Sequence, residues 1–370
     1  MGRQSNHLLL EGSSYDAGRT LGRICRSIPD LEGFVRASGT CFSNQETTQM
    51  LKLFEEYCPG LNEEIQGFAV ELGILPRQVF YYAMTYLRPG CSQMAVLPSK
   101  TENGHILMAR NYDFSDKMEE MTLVTTKIKG KYAHIGFSLL QFGREDGMNE
   151  HGLAVSQTSA GLPVGNFEFA AKPAIIGLQF WAVIRSVLEN CKDVEDAIQW
   201  TKDMPIAFNI NLMVADPYGN AALIETFNGI KAVRRIDAQS EKQFIHSTNH
   251  VHLEELKSFA PMSMKNSLER YLLIEDTLNN INPISIDDLK RLLTTKYPEG
   301  LRCNFYDEFF GCLHSMVFDV SEGIVYICFG TPADSKWHSF RVCDEVHQKS
   351  YPVVMEREKA PADFFRMISG

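Results

Sequence analysis

Four pairs of short apolar segments, each joined by a turn signal, constrain the fold of this chain more than any other feature. The clearest pair, QMAVLP (93–98) and HILMARNYD (105–113), flanks Asn103-Gly104, a dipeptide typical of tight hairpin turns. The other three pairs lie at 121–140, 210–227 and 314–330. Strands joined by short turns pair antiparallel, so the pattern predicts a mainly antiparallel sheet.

Helical patterns precede and interrupt these hairpins. Residues 1 to about 87 are predicted to be helical, and the clearest apolar stripe lies in LNEEIQGFAVELGI (61–74). Further helical patterns lie at 175–190, 194–203, 266–278 and 285–295. Hairpins combined with helix blocks predict an α+β fold. The change of pattern at Gly90 divides the chain into a helical N-terminal segment, 1–90, and a sheet-rich body, 91–370.

Composition excludes several functions. The formal net charge of -10 and the absence of basic clusters argue against nucleic acid or anionic membranes as partners. The first residues hold three leucines and no longer apolar core, which is too short for a secretory signal, so a cytoplasmic protein is expected. The nine cysteines are scattered and none forms a Cys-x-x-Cys pair, so neither a disulfide framework nor a zinc site is expected.

Charged residues end the predicted strand that would pair with the strand beginning at Cys91. Burying Arg110 and Asp113 there is costly unless they are paired, so either RNYD is a solvated strand end or the charges serve the cysteine. A thiol nucleophile needs a base, which a distant histidine could supply. Alternatively, cleavage before Cys91 would free an α-amine with a pKa of roughly 7.7–8.0, suited to that role. Gly90 suits such cleavage, because it has no side chain to hinder attack on its carbonyl and tolerates strained backbone.

The stretch from Cys91 through Arg110-Asn111-Tyr112-Asp113 resembles the N-terminal-nucleophile (Ntn) hydrolases that act on linear amides. These include choloylglycine hydrolases, penicillin V acylases and isopenicillin-N acyltransferase. The resemblance covers nearly the whole chain and is closest to the acyl-CoA:6-aminopenicillanic acid acyltransferase-like branch, in which a leading segment also precedes the cysteine. It rests further on GSSYDAGRTLG (12–22), YCPGLNEEIQGFAVELGI (57–74), GMNEHGLAVS (147–156), HSTNH (246–250), NSLERY (266–271) and HSMVFDVSEGIVYICFGTP (314–332).

The resemblance implies an αββα sandwich and a role for each matching residue. Cys91 would be the nucleophile and, after cleavage between Gly90 and Cys91, its amine would be the base. Asp113 would hold that amine, and Arg110 would tune the thiol. Asn249 would donate to the oxyanion and Arg270 would orient the site. From the local sequence pattern alone, Asn249 could instead be a turn residue and Arg270 part of an ordinary helix start.

Two further residues are candidates for support of the site. Asn111 lies within the matching motif. The bile salt branch carries another asparagine where this chain has Ser156-Gln157-Thr158-Ser159. Ser159 or a backbone amide could therefore be the second oxyanion donor.

The implied function is a self-processing cysteine Ntn amidohydrolase or acyltransferase that cleaves a linear, non-peptide amide through an acyl-enzyme. A small acyl amide is the expected substrate, with acyl-CoA as a donor and homo-oligomerisation both left open. No cofactor is expected. His246, His250 and His252 are spaced loosely like metal ligands but lack an acidic helix pattern, so no metal is expected. The alternative is a catalytically silent relative that binds other molecules or serves a structural role.

Overall fold

Two large β-sheets pack face to face beneath helices in this protein. The computed structural model describes residues 3–28, 31–33, 35, 44–83, 90–139, 141–161, 172–332 and 336–369. The helices within these ranges are α1 Ser14–Arg26, α2 Asn44–Tyr57, α3 Leu61–Leu72, α4 Pro76–Ala83, α5 Phe180–Asn190, α6 Val194–Lys202, α7 Glu254–Lys257, α8 Lys265–Asn280 and α9 Ile286–Thr294.

The strands form two large sheets and one small one. The first sheet contains β1 Arg3–Gly12, β4 Thr122–Ile128, β5 His134–Leu139, β6 Gly143–Arg144, β7 Gly147–Asn149, β8 Ala154–Ser159, β9 Ile210–Ala215, β10 Ala221–Phe227, β11 Ile230–Ile236 and β18 Ser350–Val353. The second contains β2 Gly90–Val96, β3 Leu107–Phe114, β12 Phe244–Ser247, β14 Asn304–Phe305, β15 Phe310–Asp319, β16 Ile324–Phe329 and β17 Trp337–Phe340. The small sheet pairs β13 Met262–Met264 with β19 Met367–Ser369.

The two large sheets face each other through β2 of the second sheet, which contacts β8 and β9 of the first. Helices α5 and α6 cover the outer face of the first sheet, and α8 and α9 cover that of the second. All four predicted hairpins are present, as β2/β3, β4/β5, β9/β10 and β15/β16. The predicted α+β fold with an αββα sandwich is therefore confirmed.

The prediction that the N-terminal segment is helical is wrong for its first part, because Arg3–Gly12 form strand β1. This strand lies inside the first sheet, parallel to β4 along seven residue pairs and antiparallel to β18 along four. Its partner β4 lies more than 100 residues away, so the pairing that satisfies its backbone is not a local feature. The helices that follow agree with the prediction: Ser13 caps α1, and Gly73 in the left-handed conformation ends α3.

Helices α1 and α3 of the N-terminal segment cross at glycines. A Cβ placed on Gly18 would lie 1.8 Å from the Glu64 carbonyl oxygen, and one on Gly67 would lie 2.2 Å from that of Tyr15. The backbones of the two helices therefore approach more closely than any side chain permits. This contact explains why Gly18 and Gly67 are glycines in the two N-terminal motifs at 12–22 and 57–74.

A buried ion network ties α3 to α5 of the body. Arg185 donates both terminal nitrogens to Glu64, at 2.9 and 2.5 Å, and its Nε donates to Glu189 at 2.8 Å. Lys131 reaches the other oxygen of Glu189 at 2.6 Å. Because Glu64, Arg185 and Glu189 are almost fully buried, each of their charges depends on its partners. The network links the segment before Cys91 to the part that follows it.

We expect Glu64→Ala to destabilise the protein by about 3–5 kcal/mol, because it leaves part of the Arg185 charge buried without its partner. The neighbouring Glu63→Ala is the matched control, since Glu63 lies exposed on the same helix and should change stability by less than about 0.5 kcal/mol. Denaturant unfolding of both variants in a Cys91→Ala background keeps the chain uncut. Equal stability of the two variants would contradict a structural role for the network.

Candidate active site

Cys91 lies near the start of β2, directly across from Tyr112 of β3, and Gly90 lies across from Asp113. Side chains alternate between the two faces of a strand, so the register separates the neighbours of Cys91 into two groups. Its thiol shares the inner face, between the sheets, with Arg110. Asp113 shares the outer face, below α8, with Gly90. Cys91, Arg110 and Asp113 are all fully buried.

On the inner face, the guanidinium of Arg110 contacts the candidate nucleophile. Its Nη2 donates to the Cys91 sulfur at 3.2 Å. Burial raises the pKa of the thiol to about 11 in the uncut chain, and the positive charge of Arg110 opposes this rise. The thiol is therefore protonated at neutral pH, and Arg110 is placed to stabilise the thiolate once a base removes the proton.

Two residues that the sequence analysis missed hold Arg110 in place. Its Nη1 donates to Asp146 at 2.8 Å, and the same carboxylate oxygen accepts from Nε2 of His314 at 2.8 Å. The backbone amide of Phe137 fixes the other oxygen at 3.2 Å. Burial would raise the pKa of Asp146, but Arg110 and His314 outweigh it and hold this pKa below its usual value. The available signal was Arg144-Glu145-Asp146, three successive charged residues directly before the motif at 147–156.

On the outer face, Arg270 of α8 assembles three parts of the site. Its Nη1 donates to the Cys91 carbonyl and to the Ser92 hydroxyl, both at 2.7 Å. Its Nη2 donates to the side-chain oxygens of Asn249 and Asn266, both at 2.8 Å. Arg270 is fully buried. The segment 266–271 is the start of α8, as expected from the sequence, but the cap is Met264 and Ser267 lies in the first turn.

The structure places Asn249 against the backbone of Cys91. Its Oδ1 accepts from the Cys91 amide nitrogen at 3.0 Å, and its Nδ2 donates to the Ser159 hydroxyl at 3.0 Å. Glu225 fixes the loop that carries Asn249, since its two oxygens accept from the amides of His252 and Leu253 at 2.7 and 2.9 Å. Oδ1 of Asn249, which contacts Cys91, is thus fixed both by its hydrogen bond to Arg270 and by the loop that Glu225 binds.

Asp113 is the least satisfied member of the group. Neither of its carboxylate oxygens has a hydrogen-bond partner among the described residues. Burial raises its pKa to about 7, while Arg270 and Arg110 pull this pKa down. In the uncut chain the Cys91 nitrogen bonds to Asn249, and a bond to Asp113 is expected only once that nitrogen is a free amine.

Asn111 lies away from the thiol. Its Nδ2 donates to the Leu293 carbonyl of α9 at 3.0 Å, and its Oδ1 accepts from Ser315 at 2.6 Å. These bonds tie α9 to the second sheet, so Asn111 supports the site through packing and not through contact with Cys91.

Two groups of residues that contain histidine are the candidates for a metal site. His246, His250 and His252 pack against Tyr271 or one another, with ring centroids 4.1–5.3 Å apart. Glu145, Asp146 and His314 have ligand atoms within 4.8 Å of one another. Oδ2 of Asp146 already accepts hydrogen bonds from Arg110 and His314. These bonds explain why the side chains lie close together.

Comparison with known proteins identifies the family of this chain. The model of the acyl-coenzyme A:6-aminopenicillanic acid acyl-transferase family matches residues 99–334, more than half of the chain. The chain belongs to this family, within the Ntn group of amidohydrolases and acyltransferases. The matched region contains Arg110, Asp113, Asn249 and Arg270, whereas Gly90 and Cys91 precede it.

Solved structures of two kinds of enzyme are similar to this chain. Penicillin V acylase from Agrobacterium tumefaciens is 18% identical with a TM-score of 0.40, and the match covers 65% of this chain and 83% of that one. Two variants of conjugated bile acid hydrolase from Clostridium perfringens are 14% identical with TM-scores of 0.44, and cover 73% of this chain and 98–99% of theirs. At these TM-scores the likenesses carry no argument about the site. None of the curated proteins compared with this chain matches it.

The raised pKa of Asp113 generates a prediction about stability and pH. Protonated Asp113 stabilises the uncut fold below about pH 4, and this contribution is lost as pH rises through about 7. Asp113→Asn, which cannot ionise, should therefore gain up to about 4 kcal/mol relative to the aspartate between pH 4 and pH 8, since a shift of about three pKa units is worth about that much. Denaturant unfolding across this range, both proteins carrying Cys91→Ala, measures the difference. A pH-independent difference would contradict the raised pKa.

Proposed function

We propose that this protein is a self-processing cysteine Ntn amidohydrolase or acyltransferase that acts on a linear amide through an acyl-enzyme on Cys91. The convergence of distant residues on Cys91 carries the proposal. Arg110 contacts its sulfur, Arg270 its carbonyl and Asn249 its nitrogen, although Arg270 lies 179 positions along the chain. Every polar atom of Cys91 is thus met by a residue that the family resemblance implicates.

In the proposed processing step, the Cys91 sulfur adds to the carbonyl carbon of Gly90. The bond between that carbon and the Cys91 nitrogen breaks, and the nitrogen takes up a proton as it becomes an amine. Water then hydrolyses the resulting thioester, which leaves a carboxylate on Gly90 and a free thiol on Cys91. Arg270 would position the Cys91 peptide during this exchange, because it donates to the carbonyl on the far side of the residue.

In the proposed turnover, the free amine of Cys91 takes the thiol proton and the sulfur adds to the substrate carbonyl. The amine passes the proton to the departing nitrogen, and an acyl thioester remains on Cys91. Water completes hydrolysis, or an amine acceptor completes acyl transfer. Asn249 would keep the amine in place through Oδ1 and present Nδ2 to the oxyanion. An ionised Asp113 would neutralise the amine when it is protonated.

Intact-mass measurement tests the processing step. The wild-type protein should yield two chains, 1–90 and 91–370, while Cys91→Ala should stay at full length. The two chains should co-elute in size-exclusion chromatography, because β1 lies inside the first sheet. An active wild-type protein that remains uncut would sink the proposal, and an uncut protein without activity would favour the catalytically silent alternative.

Substitution of Asn249 tests the oxyanion role. Asn249→Ala should lower kcat by roughly 10²–10³ if Nδ2 stabilises the oxyanion. Asn249→Asp keeps the acceptor oxygen that Cys91 and Arg270 use but lacks the donor, so it should be impaired to a similar extent. Asn279→Ala, at an exposed position of α8, is the control. Near-normal turnover of Asn249→Asp, measured on processed enzyme, would limit Asn249 to holding the amine.

A further inference from the structure

The space beside Gly90 is filled by an aromatic ring. A Cβ placed on Gly90 would lie 2.2 Å from Cε2 of Phe310 and within 2.7 Å of two more atoms of the same ring. Gly90 is the first residue of β2, and its φ lies outside the left-handed region that favours glycine. The backbone conformation therefore does not require glycine at this position. The ring of Phe310 does, because it leaves no room for a side chain.

Phe310 has little freedom to move away. It is buried on the outer face of the second sheet, where the guanidinium carbon of Arg270 lies 4.9 Å from its ring centroid. Phe364 packs edge-on at 5.1 Å, and Phe365 packs at 6.0 Å. A ring held on several sides cannot yield cheaply to an added methyl group, since overpacking forces neighbours out of their preferred conformations.

The proposed chemistry places the acyl part of a substrate in this same space. In processing, the Cys91 sulfur adds to the Gly90 carbonyl and expels the Cys91 nitrogen. In turnover, the same sulfur adds to a substrate carbonyl and expels an amine that the Cys91 amine protonates. Both reactions form a thioester on this sulfur, so the carbon next to the substrate carbonyl corresponds to Gly90 Cα in the processing thioester.

We infer that Phe310 is a specificity-determining residue that restricts the enzyme to acyl groups whose α-carbon carries no substituent on the side of an L side chain. The inference rests on the proposed nucleophile and names the substrate class for that same site. Glycyl-type and straight-chain acyl groups fit the space, and an α-methyl group pointing toward Phe310 does not.

Acylation of Cys91 by two esters tests this selectivity without knowledge of the natural substrate. The p-nitrophenyl esters of N-acetylglycine and N-acetyl-L-alanine are reacted with processed enzyme, and the mass increase of the 91–370 chain is followed. Each rate is divided by that of the same ester with N-acetylcysteine, which removes intrinsic reactivity, and Cys91→Ala supplies the background. The alanyl ester should acylate Cys91 about 10- to 150-fold more slowly.

Substitutions of Phe310 test whether its ring causes this selectivity. Phe310→Ala should bring the two rates within about threefold of each other. Phe310→Leu, which preserves more of the packing, should narrow the ratio in part and serves if the alanine variant does not fold. Phe309→Ala, at the exposed neighbouring aromatic residue, should leave the ratio unchanged. A ratio that is the same in the Phe310 variants as in the wild type would overturn the assignment.

Processing provides a second readout that needs no substrate. Gly90→Ala should slow cleavage about tenfold or more, and a second substitution, Phe310→Ala, should restore it. Cleavage of Gly90→Ala at the wild-type rate would contradict the contact. No acylation by either ester would overturn the proposed nucleophile, whereas equal rates with both esters would overturn this inference alone.

Discussion

The geometry of the candidate site depends on a buried arginine, Arg270, to which no carboxylate of the described residues is directly bonded. Arg270 joins helix α8, strand β2 and the loop after β12 through four hydrogen bonds to neutral oxygens. Burying a guanidinium is costly, and neutral acceptors offset this cost only when all of them are in place. Loss of any one partner would therefore weaken the others, which makes the positions of Cys91 and Asn249 interdependent although they lie in different parts of the chain.

The net charge around Cys91 depends on whether Asp113 is protonated. Arg110 is paired with Asp146, and Arg270 interacts with Asp113, whose pKa burial brings to about 7. In the uncut chain Asp113 is thus partly protonated at neutral pH. Release of an amine at Cys91 would add a positive charge near Asp113, besides that of Arg270, and would favour the ionised form of this carboxylate. Processing would then change the protonation of the site together with its covalent structure.

Local features made most of the fold and part of the site predictable from the sequence. The hairpins and helices follow from turn dipeptides and apolar periodicity, which act within a few residues. Strand β1 was missed because its partners, β4 and β18, are distant in the chain. Asp146 and His314 were missed for the same reason, since their contact with Arg110 exists only after the two sheets stack. Gly90 was singled out for the chemistry of cleavage, whereas the structure shows that the ring of Phe310 demands a glycine there.

The N-terminal segment is part of the fold and not an appendage to it. Removal of β1 would expose facing edges of β4 and β18, and it would open a core that the segment shares with the body through residues such as Leu10, Leu21 and Phe68. The Glu64–Arg185 pair adds a further attachment to the body, and the glycine contact of α1 with α3 holds the segment itself together. Cleavage before Cys91 would break one covalent bond and none of these contacts. The residues on both sides of the cut can therefore form one site from two chains, with the freed amine as the local change.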